Sequence, residues 1–283
     1  MVASPQSLAG RGRARSIRIA CSALLTTALL ACSAPPPPPR KLLPGQSSQI
    51  VPIETPRAPP ALPVPSTPAA VPAAKSAAAV PAIGPKGFVD RFDRAELGAD
   101  WFNSGGPYRL QHGQLTFSMA HNHPLWLERS LPRDVRVEFD CTGQSADGDV
   151  KVELFGDGRA FESDEDVQRD VQYTTTGYVF IFGGWRNQLS TIVKQREHAW
   201  QYDKTVPRRT DVHVEPGRSY HWTITRTNSP TAAHLDWQLD GKSFLAWDDP
   251  QPLEGPGHDR FAFEGWEAPV ACRNLSITPL AAK

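Results

Sequence analysis

From Phe88 to Leu280 the chain reads as short runs in which apolar and polar residues alternate, separated by Gly, Pro, Asn and Asp. "VRVEFDC" (135–141), "DVKVELF" (149–155), "YVFIF" (178–182), "YHWTITR" (220–226), "HLDWQLD" (234–240) and "ACRNLSI" (271–277) carry this period. Alternation of period two places successive side chains on opposite faces of a strand, so the pattern predicts an all-β, two-sheet antiparallel sandwich. Asp240-Gly241 between two such runs is a hairpin signal, because a type I′ turn needs positive φ at both central positions. Only 93–101 and the acidic stretch 162–170 have room for a turn of helix.

In "YVFIF" the alternation puts Tyr178, Phe180 and Phe182 on one face and Val179 and Ile181 on the other, so this strand is covered on both sides and central in its sheet. Gly183-Gly184 then breaks the run and leaves Trp185, Arg186 and Asn187 at the strand end. A return strand, "LSTIVKQR", carries Arg196, Glu197 and His198 toward the opposite end of that hairpin.

Nothing of this kind precedes Phe88, and no aromatic residue occurs before it. Residues 1–31 contain no acid, four arginines and an apolar run from Ile19 to Ala31, a basic region and a hydrophobic region too short to span a bilayer comfortably. Leu29-Leu30-Ala31-Cys32 resembles the bacterial lipobox, which implies a lipoprotein signal peptide (1–31) and lipidation of Cys32. Residues 32–87 are rich in Pro and Ala, including Pro35 to Pro39, and cannot bury enough apolar surface to offset their ordering entropy. They are expected to form a disordered tether reaching on the order of 150 Å if stiff, at about 3.1 Å per residue. The remainder, 88–283, is long enough for one domain with a full core. Ser33 is not the aspartate that retains lipoproteins at the inner membrane of enteric bacteria, which favours the outer membrane.

The whole chain balances 30 basic against 30 acidic residues, and loss of the leader leaves a charge of about −4. That gives no reason to expect nucleic acid as a partner, and the membrane is engaged through the lipid. Two cysteines remain, Cys141 and Cys272, and an exported compartment permits them to form a disulfide.

The segments "FVDRFDRAELGADW", "YRLQHGQLTF", "HPLWLERSLPRDVRVEFD", "HLDWQLDGKSFLAWDD" and "FAFEGWEAPVACRNLSI" resemble the concanavalin A-like lectin/glucanase superfamily. Within it the chain is similar to laminin-G-like and 3-keto-disaccharide hydrolase domains. The resemblance covers 88–280 and implies a jelly-roll sandwich whose concave sheet faces a glycan. Its motifs are architectural, so it speaks to fold rather than activity.

Catalysis on this fold implies carboxylates in a Glu-x-Asp-x-Glu run, and none is present. Asp147, Asp149 and Glu153 come nearest, interrupted by Lys151 on the same face. Where the 3-keto-disaccharide hydrolase resemblance implies Glu-x-Gln, the chain reads Tyr178-Val179-Phe180-Ile181. The enzyme alternative, cleavage of a glycoside or 3-keto-glycoside, would use Glu197 and His198 as acid and base and Arg196 to position the substrate.

No cofactor is indicated. Asp147 and Asp149 are the metal candidates, and Glu162, Asp164, Glu165, Asp166 and Asp170 offer oxygens of the kind calcium takes. The leading expectation is non-catalytic carbohydrate binding, because an aromatic plane stacks on a pyranose while neighbouring polar groups bond its hydroxyls. Tyr178, Trp185, Arg186, Asn187, Arg196, Glu197 and His198 form one lobe of that expected groove. His121, Asn122 and Trp126 form the other. A structural or protein-binding envelope domain is the third class.

Overall fold

A computed structural model describes residues 80–163 and 175–281. The proposed leader, Cys32 and most of the tether lie outside the described residues, as do Asp164, Glu165, Asp166 and Asp170.

Fifteen strands are found among the described residues: β1 (Phe88–Asp90), β2 (Trp101–Asn103), β3 (Arg109–Gln111), β4 (Gln114–Phe117), β5 (Leu125–Leu127), β6 (Val135–Gly143), β7 (Val150–Gly156) and β8 (Tyr178–Gly183), followed by β9 (Leu189–Lys194), β10 (Arg208–Arg209), β11 (Ser219–Asn228), β12 (Ala233–Leu239), β13 (Lys242–Asp249), β14 (Arg260–Glu264) and β15 (Val270–Pro279). They form two antiparallel sheets. One runs β13-β12-β11-β6-β15-β4-β3, with β1 also on β15, and the other β10-β9-β8-β7-β14-β5-β2. Segment 93–100, a candidate helical turn, contains bends and a turn with no helix.

Phe139, Trp222 and Trp237 from the first sheet face Phe180, Phe182, Phe261 and Phe263 from the second in one aromatic core. These rings meet at 4.6 to 6.4 Å between centroids, mostly edge to face, the arrangement their quadrupoles favour. Tyr178, Phe180 and Phe182 lie in this core while Val179 and Ile181 lie in a separate cluster behind it, as their alternation predicts. The β12–β13 hairpin turns at Asp240 (φ 52°) and Gly241 (φ 71°).

Cys141 and Cys272 are directly opposed on β6 and β15 and are joined by a disulfide. The bond closes 131 residues of sequence, so it ties the last strand to the middle of its sheet.

Candidate functional site

The two sheets are buried differently. Strand β6 alternates buried and accessible residues, the signature of a sheet with one face toward solvent. Every residue of β7 and β8 is buried. Because neighbours point to opposite faces, the second sheet is covered on the side away from the core as well. Register sets what lies there. One row across the sheet reads Glu264, Lys151, Ile181, Thr191, and the next reads Trp126, Ala262, Glu153, Val179, Val193. Ala199 and Val206, in the chain after β9, cover the apolar half of this surface together with Trp185 and Trp200.

The polar half centres on Lys151, of which 1% is exposed. Its Nζ donates to Asn122 Oδ1 at 2.7 Å and Glu197 Oε1 at 2.9 Å, with Asp149 and Glu264 oxygens each 3.9 Å away. Asn122 in turn donates to Glu197 Oε2 (3.2 Å) and Glu162 Oε2 (2.8 Å). Asp149 accepts from the Trp266 amide at 2.9 Å. One ammonium therefore fastens the 120–123 loop and the 195–206 segment to the sheet, and Asn122 extends the connection to Glu162.

Burial pulls the Lys151 pKa down, but Asp149, Glu197 and Glu264 outweigh that and hold it above the ordinary lysine value, so it stays charged. Burial raises the Asp149 carboxyl, with Lys151 opposing. Glu264 is fully buried, and burial lifts it well above the usual carboxylate range against the opposing pull of Lys151. Neither of its oxygens has a hydrogen-bond partner among the described residues. Burial pushes Glu153 up to about 7, although its Oε1 accepts from the Gly177 and Thr176 amides.

Above this floor stands an aromatic rim. Gly183 takes φ 68°, and three successive residues, Trp185, Arg186 and Asn187, have left-handed φ of 52°, 60° and 61°. That conformation costs L-residues about 1–2 kcal/mol each and needs external support. Asn187 supplies it: Oδ1 accepts from the Val214 amide and Nδ2 donates to the Val214 carbonyl, both at 2.8 Å. A Cβ at Gly183 would collide with Asn187 and Val214, so this turn requires glycine. The turn brings the Trp185 ring to 4.9 Å from Trp200 and 5.5 Å from His198. Trp185, His198 and Trp200 are half-buried, Arg186 and Arg196 exposed, and Arg208 donates to the Trp200 carbonyl at 2.6 Å. Tyr202 is 57% exposed nearby in sequence. On the other side His121 lies 4.8 Å from Trp266 and His123 stacks on Phe161 at 5.2 Å.

The two segments that the hairpin reading set at opposite ends thus meet. After Lys194 the chain reverses through Gln195 (φ 58°) and a short 3-10 turn, Ala199–Gln201, returning His198 and Trp200 to Trp185. The two expected lobes also meet, at the Asn122–Glu197 hydrogen bond. Two expected contact residues are fully buried. Tyr178 faces the core, where its hydroxyl donates to Asp249 at 2.6 Å and accepts from the Leu253 amide. Trp126 is on the covered face but fully buried, its Nε1 donating to the Ala160 carbonyl at 3.0 Å. Asp147 is exposed, whereas Asp149 is committed to Trp266 and Lys151. Among the described residues no three His, Cys, Asp or Glu side chains are grouped to hold a metal ion. Lys151, Glu264, Trp200 and Trp266 are the members of the site that pattern reading left out.

No protein-family model matches the chain, and no curated protein matches it. Solved structures do. One is a Bacillus subtilis protein of unknown function with a galectin-like fold, 13% identical at a TM-score of 0.48, covering 69% of this chain and 96% of that one. Another is the carbohydrate-binding module CBM66 from Bacillus subtilis, 13% identical at 0.41, covering 63% and 95%. A third is an endo-1,3-beta-glucanase from Streptomyces sioyaensis, 12% identical at 0.41, covering 68% and 96%. The two-sheet antiparallel architecture itself rests on the strand pairing of this chain.

Glu153 makes stability depend on pH with a definite sign. Its folded pKa, about 7, lies above the ordinary glutamate value of 4.5, so its contribution is complete below about pH 4.5 and is lost as pH rises through 7. The urea midpoint is expected to fall across that window, and Glu153→Gln, which keeps an acceptor for Gly177 and Thr176, should flatten the fall. A variant with the wild-type pH slope would contradict this assignment.

Proposed function

We propose that the protein is a non-catalytic carbohydrate-binding module carried on a lipid-anchored tether, and that it holds its ligand on the rim of the covered sheet. The observation that carries the reading is the half-exposed Trp185–Trp200 pair with His198 against it and Arg186 and Arg196 exposed beside it in the chain. An indole offers a flat apolar surface to the C–H face of a sugar ring, and guanidinium and imidazole groups bond its hydroxyls. The left-handed turn and the Lys151 connection fix this rim before ligand arrives, which lowers the ordering cost of binding.

Binding is favoured over hydrolysis by the state of the carboxylates. Both Glu197 oxygens are engaged, by Lys151 and Asn122, and Glu153 and Glu264 are sealed beneath the cover. Hydrolysis is the second reading, supported by one feature. An acid raised to about 7, as Glu153 is, suits protonation of a glycosidic oxygen, but it would have to be uncovered first.

A glycan array read beside a reducing-sugar release assay separates the two. Wild type is expected to bind without releasing sugar, and Trp185→Ala to lose at least about tenfold in affinity, near 1.4 kcal/mol. Sugar release that Glu153→Gln abolishes would replace binding with hydrolysis, and unchanged affinity in Trp185→Ala would remove the rim from the account. The anchor rests on Leu29-Leu30-Ala31-Cys32 and the proline-rich stretch behind it. Labelling cells with a fatty-acid analogue should mark the wild-type chain and leave Cys32→Ser unmarked; equal label in both would refute the anchor.

A further inference from the structure

A cavity of about 460 Å³ opens beside β7, on the core side of the sheet that carries the rim. Strand β7 creates one of its walls. The pairing of β7 with β14 slips between Leu154 and Gly156, leaving Phe155 as the extra residue with φ 60°. Such a bulge re-aims a side chain. Here it turns Phe155 into the same core as Leu154, where period two would have sent it to the other face.

Over the Phe155 ring sits a residue of the wrong polarity for its position. Arg226 follows Trp222 and Ile224 along the inward face of β11 and is 1% exposed, with its guanidinium carbon 4.0 Å from the Phe155 centroid. Its Nε and Nη2 donate to Asn228 Oδ1 at 3.1 and 2.9 Å. Nη1 has no acceptor among the described residues. Burial lowers its pKa from the usual arginine value, yet a guanidinium remains charged in a protein. A charge so placed is costly unless a carboxylate answers it.

The carboxylate present is shared. Glu254 Oε1 lies 3.6 Å from Arg226 Nη2, and it accepts both Nε and Nη2 of Arg133, at 3.0 and 2.6 Å. Two guanidiniums therefore converge on one oxygen of a side chain that is 41% exposed. Asp259, the other acid at the cavity, is engaged by Arg260. His258 adds a buried Nδ1 with no partner among the described residues. Leu131, Phe155 and Leu253 supply apolar wall.

We propose that this cavity binds a small molecule bearing one carboxylate on an apolar body. The carboxylate takes the place of Glu254 between Arg133 and Arg226, and the body lies against Phe155, Leu131 and Leu253. A planar carboxylate suits a guanidinium fork, and the flanking acids disfavour a dianion. Phe155 belongs to the core and Arg226 is buried against it, whereas the Trp185 rim stands on the opposite face of the sheet, so this site is independent of the glycan reading.

Calorimetric titration with phenylacetate, and with phenylacetamide as its uncharged counterpart, tests the proposal. Phenylacetate should bind saturably and at least about tenfold tighter than the amide. Arg133→Gln should weaken it about fivefold or more, and Glu254→Gln, which removes the competing carboxylate, should tighten it. Arg133 and Glu254 are far more exposed than Arg226, and a thermal melt of each variant verifies that it is folded before titration. Trp185→Ala should leave phenylacetate binding unchanged. No saturation by about 20 mM, beyond the Kd expected of a ligand this small, would overturn the proposal. Equal affinity for the amide, or tightening absent in Glu254→Gln, would overturn it as well.

Discussion

A single buried ammonium, that of Lys151, holds the covered face of the second sheet together. It is surrounded by Asp149, Glu197 and Glu264, and it is cross-strand partner to Glu264. The arrangement is conditional on every member. Carboxylates at this depth are tolerated because a cation sits among them, and the cation is tolerated because Glu197 and Asn122 bond it directly. Removing one partner leaves uncompensated charge beneath the loops.

The consequence is an asymmetric sandwich. The first sheet presents an ordinary solvated face, with Asp140, His221 and Asn274 bonded across it. The second sheet is roofed, so its accessible chemistry is transferred from strand residues to the loops above. Carboxylates that would face a ligand on an open sheet lie under the roof here, and tryptophans stand at its edge. The proposal of binding without hydrolysis rests on that exchange. The left-handed turn at Trp185 to Asn187 is the clearest local conflict with backbone preference in this region, and its support by Val214 shows where the fold spends stability to hold a side chain in place.

Much of this was legible in the chain, and what was missed has a physical reason. Alternation in Tyr178 to Phe182 assigned faces correctly because a strand's period is local. Asp240-Gly241 announced its hairpin for the same reason. Lys151 read as an interruption between Asp149 and Glu153, whereas it is the common partner of Asp149, Glu197 and Glu264. Seeing that requires the pairing of β7 with β14, over a hundred residues away, which no local pattern encodes. Trp200 was invisible as a neighbour of Trp185 because the reversal after Lys194 depends on positive φ at Gln195, a residue with no strong turn signature. Tyr178 and Trp126 had the right composition for a sugar site, but composition does not distinguish a ring that plugs a core from one that meets a ligand.

Indole N–H resonances offer the most direct test of the central claim, that ligand sits on the Trp185–Trp200 rim of a roofed sheet. In an NMR titration with a bound glycan, the Trp185 and Trp200 signals should shift while those of the core residues Trp222 and Trp237 stay in place. Shifts confined to other tryptophans, with Trp185 and Trp200 unmoved at saturation, would contradict it.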